Sequence, residues 1–192
     1  MNAACLDRRR FSRGLTLLEV LVVLGIIGIF MVVSYPSILN IMAERNLDNA
    51  TRQVQTFLQM TKHQAISTKV VHRVLFYQPE GTYWSYDMQR LQADGTWVKA
   101  RANVPPRTIP ANLVVTVAFR TVSGGREASF SPLGTFPGEA IFNASGFFPA
   151  FDPTQNSITL QNPKLARLGQ DDERVLTIYL GGSIQYDKKK SA

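Results

Sequence analysis

The sequence predicts an α+β fold, with one long N-terminal helix followed by antiparallel strands. Three observations predict it. Residues 15–33 form a nearly unbroken apolar run. Apolar residues then recur at helical spacing from Leu47 to Ala65. From Val70 the composition changes to short runs rich in β-branched and aromatic residues, separated by turn residues. The chain has 192 residues, 45% hydrophobic and 18% charged, which fits one globular domain plus an anchor and excludes a disordered chain.

The apolar run comes first. Its 19 residues, at about 1.5 Å rise each, extend about 28 Å, close to the hydrocarbon thickness of a bilayer. The cluster Arg8-Arg9-Arg10-Phe11-Ser12-Arg13 precedes it and no basic residue directly follows. That asymmetry predicts a single-pass protein of a bacterial inner membrane, with a cytoplasmic N-terminus and a periplasmic C-terminal domain. The run ends Val32-Val33-Ser34-Tyr35-Pro36 and offers no small-x-small site, so an ordinary cleaved secretory signal does not fit.

One residue breaks the run. A carboxylate such as Glu19 costs about 2.5–3.5 kcal/mol within a membrane segment, so a plain anchor would not carry it. If the chain is cut between Gly14 and Leu15, Leu15 supplies a new positive amine and Glu19 lies one helical turn in. Glu19 then favours the helix dipole, and in a packed array it can meet the amine of the next copy. Gly25 and Gly28 give small faces that let helices approach.

The segment Arg13-Gly14-Leu15-Thr16-Leu17-Leu18-Glu19-Val20 resembles the prepilin-peptidase signature of type IV pilins and type II secretion pseudopilins. The family usually has phenylalanine where this chain has Leu15, and leucine is a tolerated variant. The resemblance implies cleavage after Gly14 and methylation of Leu15 by a prepilin peptidase. It also implies filament assembly through Glu19 and Thr16, and helix flexibility at Gly28 and Pro36. The implied partners are the prepilin peptidase, the membrane, other pilins or pseudopilins in a helical filament, and the inner-membrane assembly platform.

After Pro36 the helix resumes. Leu47, Ala50, Val54, Phe57 or Leu58, Thr61 and Ala65 form an apolar stripe that ends near Thr68, with Glu44, Arg45, Asp48, Arg52 and Lys62 mostly between them. Strands are expected at 70–77 and 82–86, joined as a hairpin through Pro79-Glu80-Gly81. Further strands are expected at 96–98, 113–117, 128–130, 140–142, 157–160, 175–180 and 183–186. The expected division is a leader over 1–14, a helix over 15–68 with its membrane part at 15–33, and a β-rich domain over 69–192.

The closing segments 141–146, 157–160 and 174–184 are similar to those of the GspH/FimT minor pilins and pseudopilins. This resemblance implies a type IV pilin-like fold, the helix packed on two antiparallel sheets. Some FimT-like proteins bind DNA through arginines near a C-terminal Gly-Arg pattern. The stretch here is Gly181-Gly182-Ser183-Ile184-Gln185, without arginine, which argues against a nucleic-acid partner. A tail of Lys188, Lys189 and Lys190 can touch phosphates, but at a terminus it reads as a solvated run. The formal charge of +7 falls to +4 once Arg8, Arg9, Arg10 and Arg13 against Asp7 are set aside, and so mild a basicity does not by itself indicate nucleic acid.

No catalytic residue, metal or cofactor is expected. His63 and His72 read as surface or edge residues with no third ligand at metal spacing. Asp171-Asp172-Glu173 reads as a solvated turn, lacking the alternating acids and glycine of a calcium loop. The only cysteine, Cys5, lies in the leader, so the cut chain has neither disulfides nor thiolate sites. Tyr83, Trp84 and Trp97 read as core or partner contacts. The function expected is a minor pseudopilin of the H type in type II secretion, with a type IV pilus minor pilin as the alternative and an uncut periplasmic anchor as the third reading.

Overall fold

The computed structural model describes residues 16–132 and 146–191. The leader, Gly14, Leu15 and the strand expected at 140–142 lie outside the described residues.

Helix α1 runs Leu17–Thr68. A break at residues 33–36, which include Pro36, separates its pieces Leu17–Val32 and Ser37–Thr68. Neither alone is long and apolar enough to cross a membrane, although the pair together passes on length and composition. The chain divides into two units, Met1–Asn40 and Ile41–Ala192.

In the first unit, the described side chains from Thr16 to Ile38 are exposed. In the second, Leu47, Ala50, Val54, Phe57, Leu58 and Ala65 of α1 are buried at steps of three and four. Thr51 and Thr61 are buried in the same stripe. Each satisfies its hydroxyl by donating to the carbonyl four residues back, on Leu47 and Phe57, both at 2.8 Å. The stripe expected from the sequence therefore faces a core.

Two antiparallel sheets supply the rest of that core. The first joins β1 (His72–Tyr77), β2 (Ser85–Leu91), β3 (Trp97–Lys99), β4 (Arg107–Thr108), β6 (Arg120–Val122) and β7 (Gly125–Phe130) in the order β3-β2-β1-β7-β6, with β4 also on β2. The second joins β5 (Val114–Ala118), β8 (Ser157–Gln161), β9 (Glu173–Ile178) and β10 (Ile184–Lys189) in the order β10-β9-β8-β5. The chain passes from β5 to β6, and so between sheets, through fully buried Phe119. Ring contacts run from Phe57 on α1 to Tyr86 (5.0 Å between centroids), Phe76, Phe119, Phe148 and Phe130. Such edge and offset contacts hold helix and strands with a defined geometry.

The hairpin differs from its expected form. Pro79–Gly81 forms a short 3-10 turn interrupted by positive φ at Glu80, with Gly81 positive as well, and the second strand begins only at Ser85. Tyr83 and Trp84 consequently lie outside a strand. The second strand extends to Leu91 because its polar residues, Asp87 and Gln89, alternate with core-facing Tyr86 and Met88. Strands β4 and β6 and the short helix α2 (Pro163–Arg167) were not expected. Helix α2 starts at Asn162, whose side chain accepts from the Lys164 amide, followed by Pro163 at its first position.

Candidate functional site

The described part of the N-terminal motif begins at Thr16. Its hydroxyl oxygen accepts the Glu19 amide at 3.2 Å, and its carbonyl accepts the Val20 amide at 3.2 Å. Thr16 is thus the N-cap of α1, satisfying one of the amide groups that a helix start leaves unpaired. Sequence reasoning gave Thr16 no local role, yet Thr16-x-x-Glu19 has the spacing of a capping box, a signal that was there to be used.

Glu19 is the acidic residue of the first turn, where the aligned peptide dipoles favour a negative charge. It is exposed, and so are Leu17, Leu18, Leu21, Leu24, Ile29, Phe30 and Met31 around the helix. A Cβ built on Gly25 or Gly28 would meet nothing within 4 Å. The chain itself gives this segment no partner among the described residues. An apolar helix exposed on all sides, with one carboxylate near its start, has the chemistry of a lipid-embedded or helix-packed element.

The other singled-out residues are placed differently. The lysine tail is only partly solvated. Lys188 lies in β10, and its ammonium donates to Glu44 at 3.3 Å and Asp48 at 3.1 Å on α1. These hydrogen bonds, that to Asp48 first, outweigh desolvation and raise the Lys188 ammonium above its ordinary value. Lys189 and Lys190 are exposed. Beside them Arg174 is completely buried, with its Nε on Asp48 (2.5 Å), Nη2 on Glu44 (3.3 Å), and Nη1 on the carbonyls of Asp171 and Glu173. Tyr186 adds a hydrogen bond to Asp48 at 3.0 Å. Burial acts to raise the Asp48 carboxyl, but the bonds from Arg174, Lys188 and Tyr186 together hold it below the usual range. This clamp joins α1 to β9 and β10 and was missed, because residues 44, 48, 174 and 188 share no local pattern.

His72 corrects an expectation. It is 1% exposed, on a strand that is central because β1 lies between β2 and β7. Its Nδ1 donates to the Val70 carbonyl at 2.9 Å, and burial pushes its pKa below the ordinary value. His63 is exposed, as expected.

Asp172 corrects another, since it is fully buried rather than part of a solvated turn. Burial acts to raise its carboxyl, but the bonds from the Ser191 amide, the Gln161 amide group and the Ser191 hydroxyl outweigh it and lower the pKa. Its role is to fasten the C-terminal segment. The Gly181-Gly182 stretch is a turn requirement. Gly182 has φ +69, a Cβ there would lie 2.2 Å from the Gly146 carbonyl oxygen, and Lys62 donates to both glycine carbonyls. Trp97 is half-buried under the Arg73 guanidinium, 4.2 Å from the ring centroid. Among the described residues no group of His, Cys, Asp or Glu is arranged to hold a metal.

Residues 9–35 match the family model for the prokaryotic N-terminal methylation motif. No curated protein matches the chain, and no solved structure does. The match covers Arg9, Arg10 and Arg13 of the basic cluster, Gly14, Leu15, the Thr16 cap, Glu19 and the apolar run. The N-terminus of this chain therefore carries a type IV pilin-like signature, that of a membrane-anchored subunit processed by a prepilin peptidase and assembled into pilin-type filaments.

Proposed function

We propose that this protein is a minor pseudopilin of the H type, a structural subunit of the short periplasmic filament of type II secretion. In this reading residues 1–14 are a cytoplasmic leader, removed after Gly14, and Leu15 becomes the methylated N-terminus. Residues 15–33 hold the chain in the inner membrane and 69–192 form the periplasmic β-rich domain. Gly28 and Pro36 let the helix adjust between lipid and filament. The role is structural and needs no catalytic residue or cofactor.

The observation that carries the reading is Glu19, capped into the first turn of a helix that is otherwise apolar and exposed, within the matched motif. A subunit drawn from lipid into a helical array can neutralise Glu19 against the amine of its neighbour, offsetting two buried charges at once. Head-to-tail packing of this kind is open rather than closed, as a filament requires.

A type IV pilus minor pilin shares the same motif and is the second reading. The Gly181–Gln185 stretch lacks arginine, and Lys188 is held by Glu44 and Asp48, which favours secretion over DNA capture. The deciding experiment is the extracellular proteome of a strain lacking this gene against the complemented strain. Exported proteins vanishing from the medium and accumulating in the periplasm support secretion. An unchanged medium with lost piliation moves the assignment to the pilus. Intact mass after co-expression with a prepilin peptidase tests both, since a chain that keeps residues 1–14 belongs to neither.

A further inference from the structure

From the end of β3 to the start of β4 the chain reads Lys99-Ala100-Arg101-Ala102-Asn103-Val104-Pro105-Pro106-Arg107, with three cations and no acid. Lys99 is ion-paired with Asp87 at 3.6 Å. Arg101 and Arg107 are exposed, and among the described residues neither is ion-paired. The Arg107 guanidinium is held 5.4 Å from the centroid of the Phe57 ring, and two successive prolines stiffen the chain before it. Three cations against Asp87 leave a local net charge of +2.

The same segment borders a cavity of about 60 Å³. Phe57, Met60 and Met88 line it from α1 and β2, and Val104 and Pro105 line it from the connection. Arg101, Arg107 and Asp87 line it as well. Phe57 and Met88 are buried, whereas Val104 is 42% exposed although apolar. An apolar cavity bordered by unpaired guanidinium groups fits a ligand that carries carboxylates beside an aliphatic group. It is too small for a nucleobase, and its apolar lining offers nothing to a phosphate.

We propose that this cavity and its two arginines are a docking site for an acidic segment of a different polypeptide, whose aliphatic side chain enters the cavity while carboxylates on either side of it meet Arg101 and Arg107. The net charge of +2 calls for more than one carboxylate, which a flanked aliphatic residue supplies. The chain's own residues match this poorly. Every acid of residues 41–192 except Glu139 lies among the described residues, and none of these is ion-paired with Arg101 or Arg107. Glu139 alone brings a single charge. A second copy offers Asp171 close to exposed Leu168, but Lys164 and Arg167 stand in the same segment and oppose the approach. The inference concerns the 41–192 unit and is independent of the N-terminal reading.

The test uses the full chain in nonionic detergent micelles and a labelled, capped synthetic peptide, Glu-Glu-Leu-Glu-Glu. The peptide binds, and its affinity falls about tenfold against Arg101→Glu. It falls likewise when the peptide's leucine is replaced by glycine, and it is unchanged against Arg45→Glu, an exposed arginine of α1 away from the cavity. Arg101 is exposed and unpaired among the described residues, so its replacement leaves the melting temperature unchanged, and Val104→Asp repeats the test if it does not. Five results overturn the inference. They are no peptide binding, equal binding by the Arg101 or Val104 variant, equal binding of the glycine peptide, equal competition by a single-stranded oligonucleotide of the same charge, and tighter peptide binding by Glu139→Gln, which would give the arginines to the chain's own segment.

Discussion

Helix α1 is read twice by the same chain. From Leu17 to Ile38 its described side chains are exposed although nearly all are apolar. From Leu47 to Ala65 its apolar side chains are buried in a stripe and its charges sit on the flanks. The charged residues differ likewise. Glu44 and Asp48 meet Arg174 and Lys188 within the chain, whereas the Glu19 carboxylate has no ion-pair partner among the described residues, and only its backbone amide bonds Thr16. Apolar surface left this exposed in water would be an aggregation hazard. The comparison assigns the second half to stability and leaves the first for partners outside the chain.

The sharpest way to break this comparison is Glu19→Ala. The expected outcome is a chain still cleaved after Gly14, unchanged in melting temperature, and nearly absent from filaments recovered by shearing and immunoblotting. Normal incorporation would remove the role given to Glu19.

Arg174→Met probes the opposite half. It strips one of two charge partners from each of Asp48 and Glu44, leaving Lys188. Removing one member of a buried ion pair costs about 3–5 kcal/mol, and the low end applies here because Glu44 is half-solvated and Lys188 remains. Chemical denaturation should show a loss of about 3 kcal/mol. Leu58→Ala, in the buried stripe, should cost about 2–5 kcal/mol by removing packed methyl groups and leaving a cavity. Its counterpart Leu24→Ala, at a residue 63% exposed, should leave the same denaturation midpoint unmoved. Equal losses at Leu58 and Leu24 would erase the distinction between the halves.

Much of this division is legible in the sequence because it rests on local period. The residues of the helical stripe are the buried ones, and the helix ends at Thr68 as its pattern does. The expected runs at 113–117, 157–160, 175–180 and 183–186 match strands β5, β8, β9 and β10 within a few residues. What local pattern cannot carry is strand order. The expectation that His72 is a surface or edge residue failed because only the pairing of β7 with β1, strands far apart in sequence, makes β1 central. Asp172 failed for the same reason, since its ligands Gln161 and Ser191 lie on either side of it in sequence. Strands β4 and β6 were missed because two or three residues carry no periodicity.

The pH dependence of the second half is the smallest effect and follows from the placement of His72 and Asp48. Burial lowers the folded pKa of His72 from its ordinary 6.5, so the unfolded chain binds the proton first. Stability is therefore unaffected by His72 above about pH 6.5 and falls as pH drops from there through the folded value. Asp48 acts lower on the scale. Its folded pKa lies below the ordinary 3.8, so its contribution is present above that value and is lost as pH falls through the folded one. Denaturation midpoints measured from pH 8 to pH 3 should decline in two stages, the first removed by His72→Gln and the second reduced by Asp48→Asn, with Asp172 contributing to what remains. The His72→Gln chain should be less stable than the parent at pH 8, where the Nδ1–H bond to the Val70 carbonyl is intact, and should close that gap as pH falls. A gap that stays constant across the range would show that His72 does not titrate between the two states, and the burial argument for it would fall.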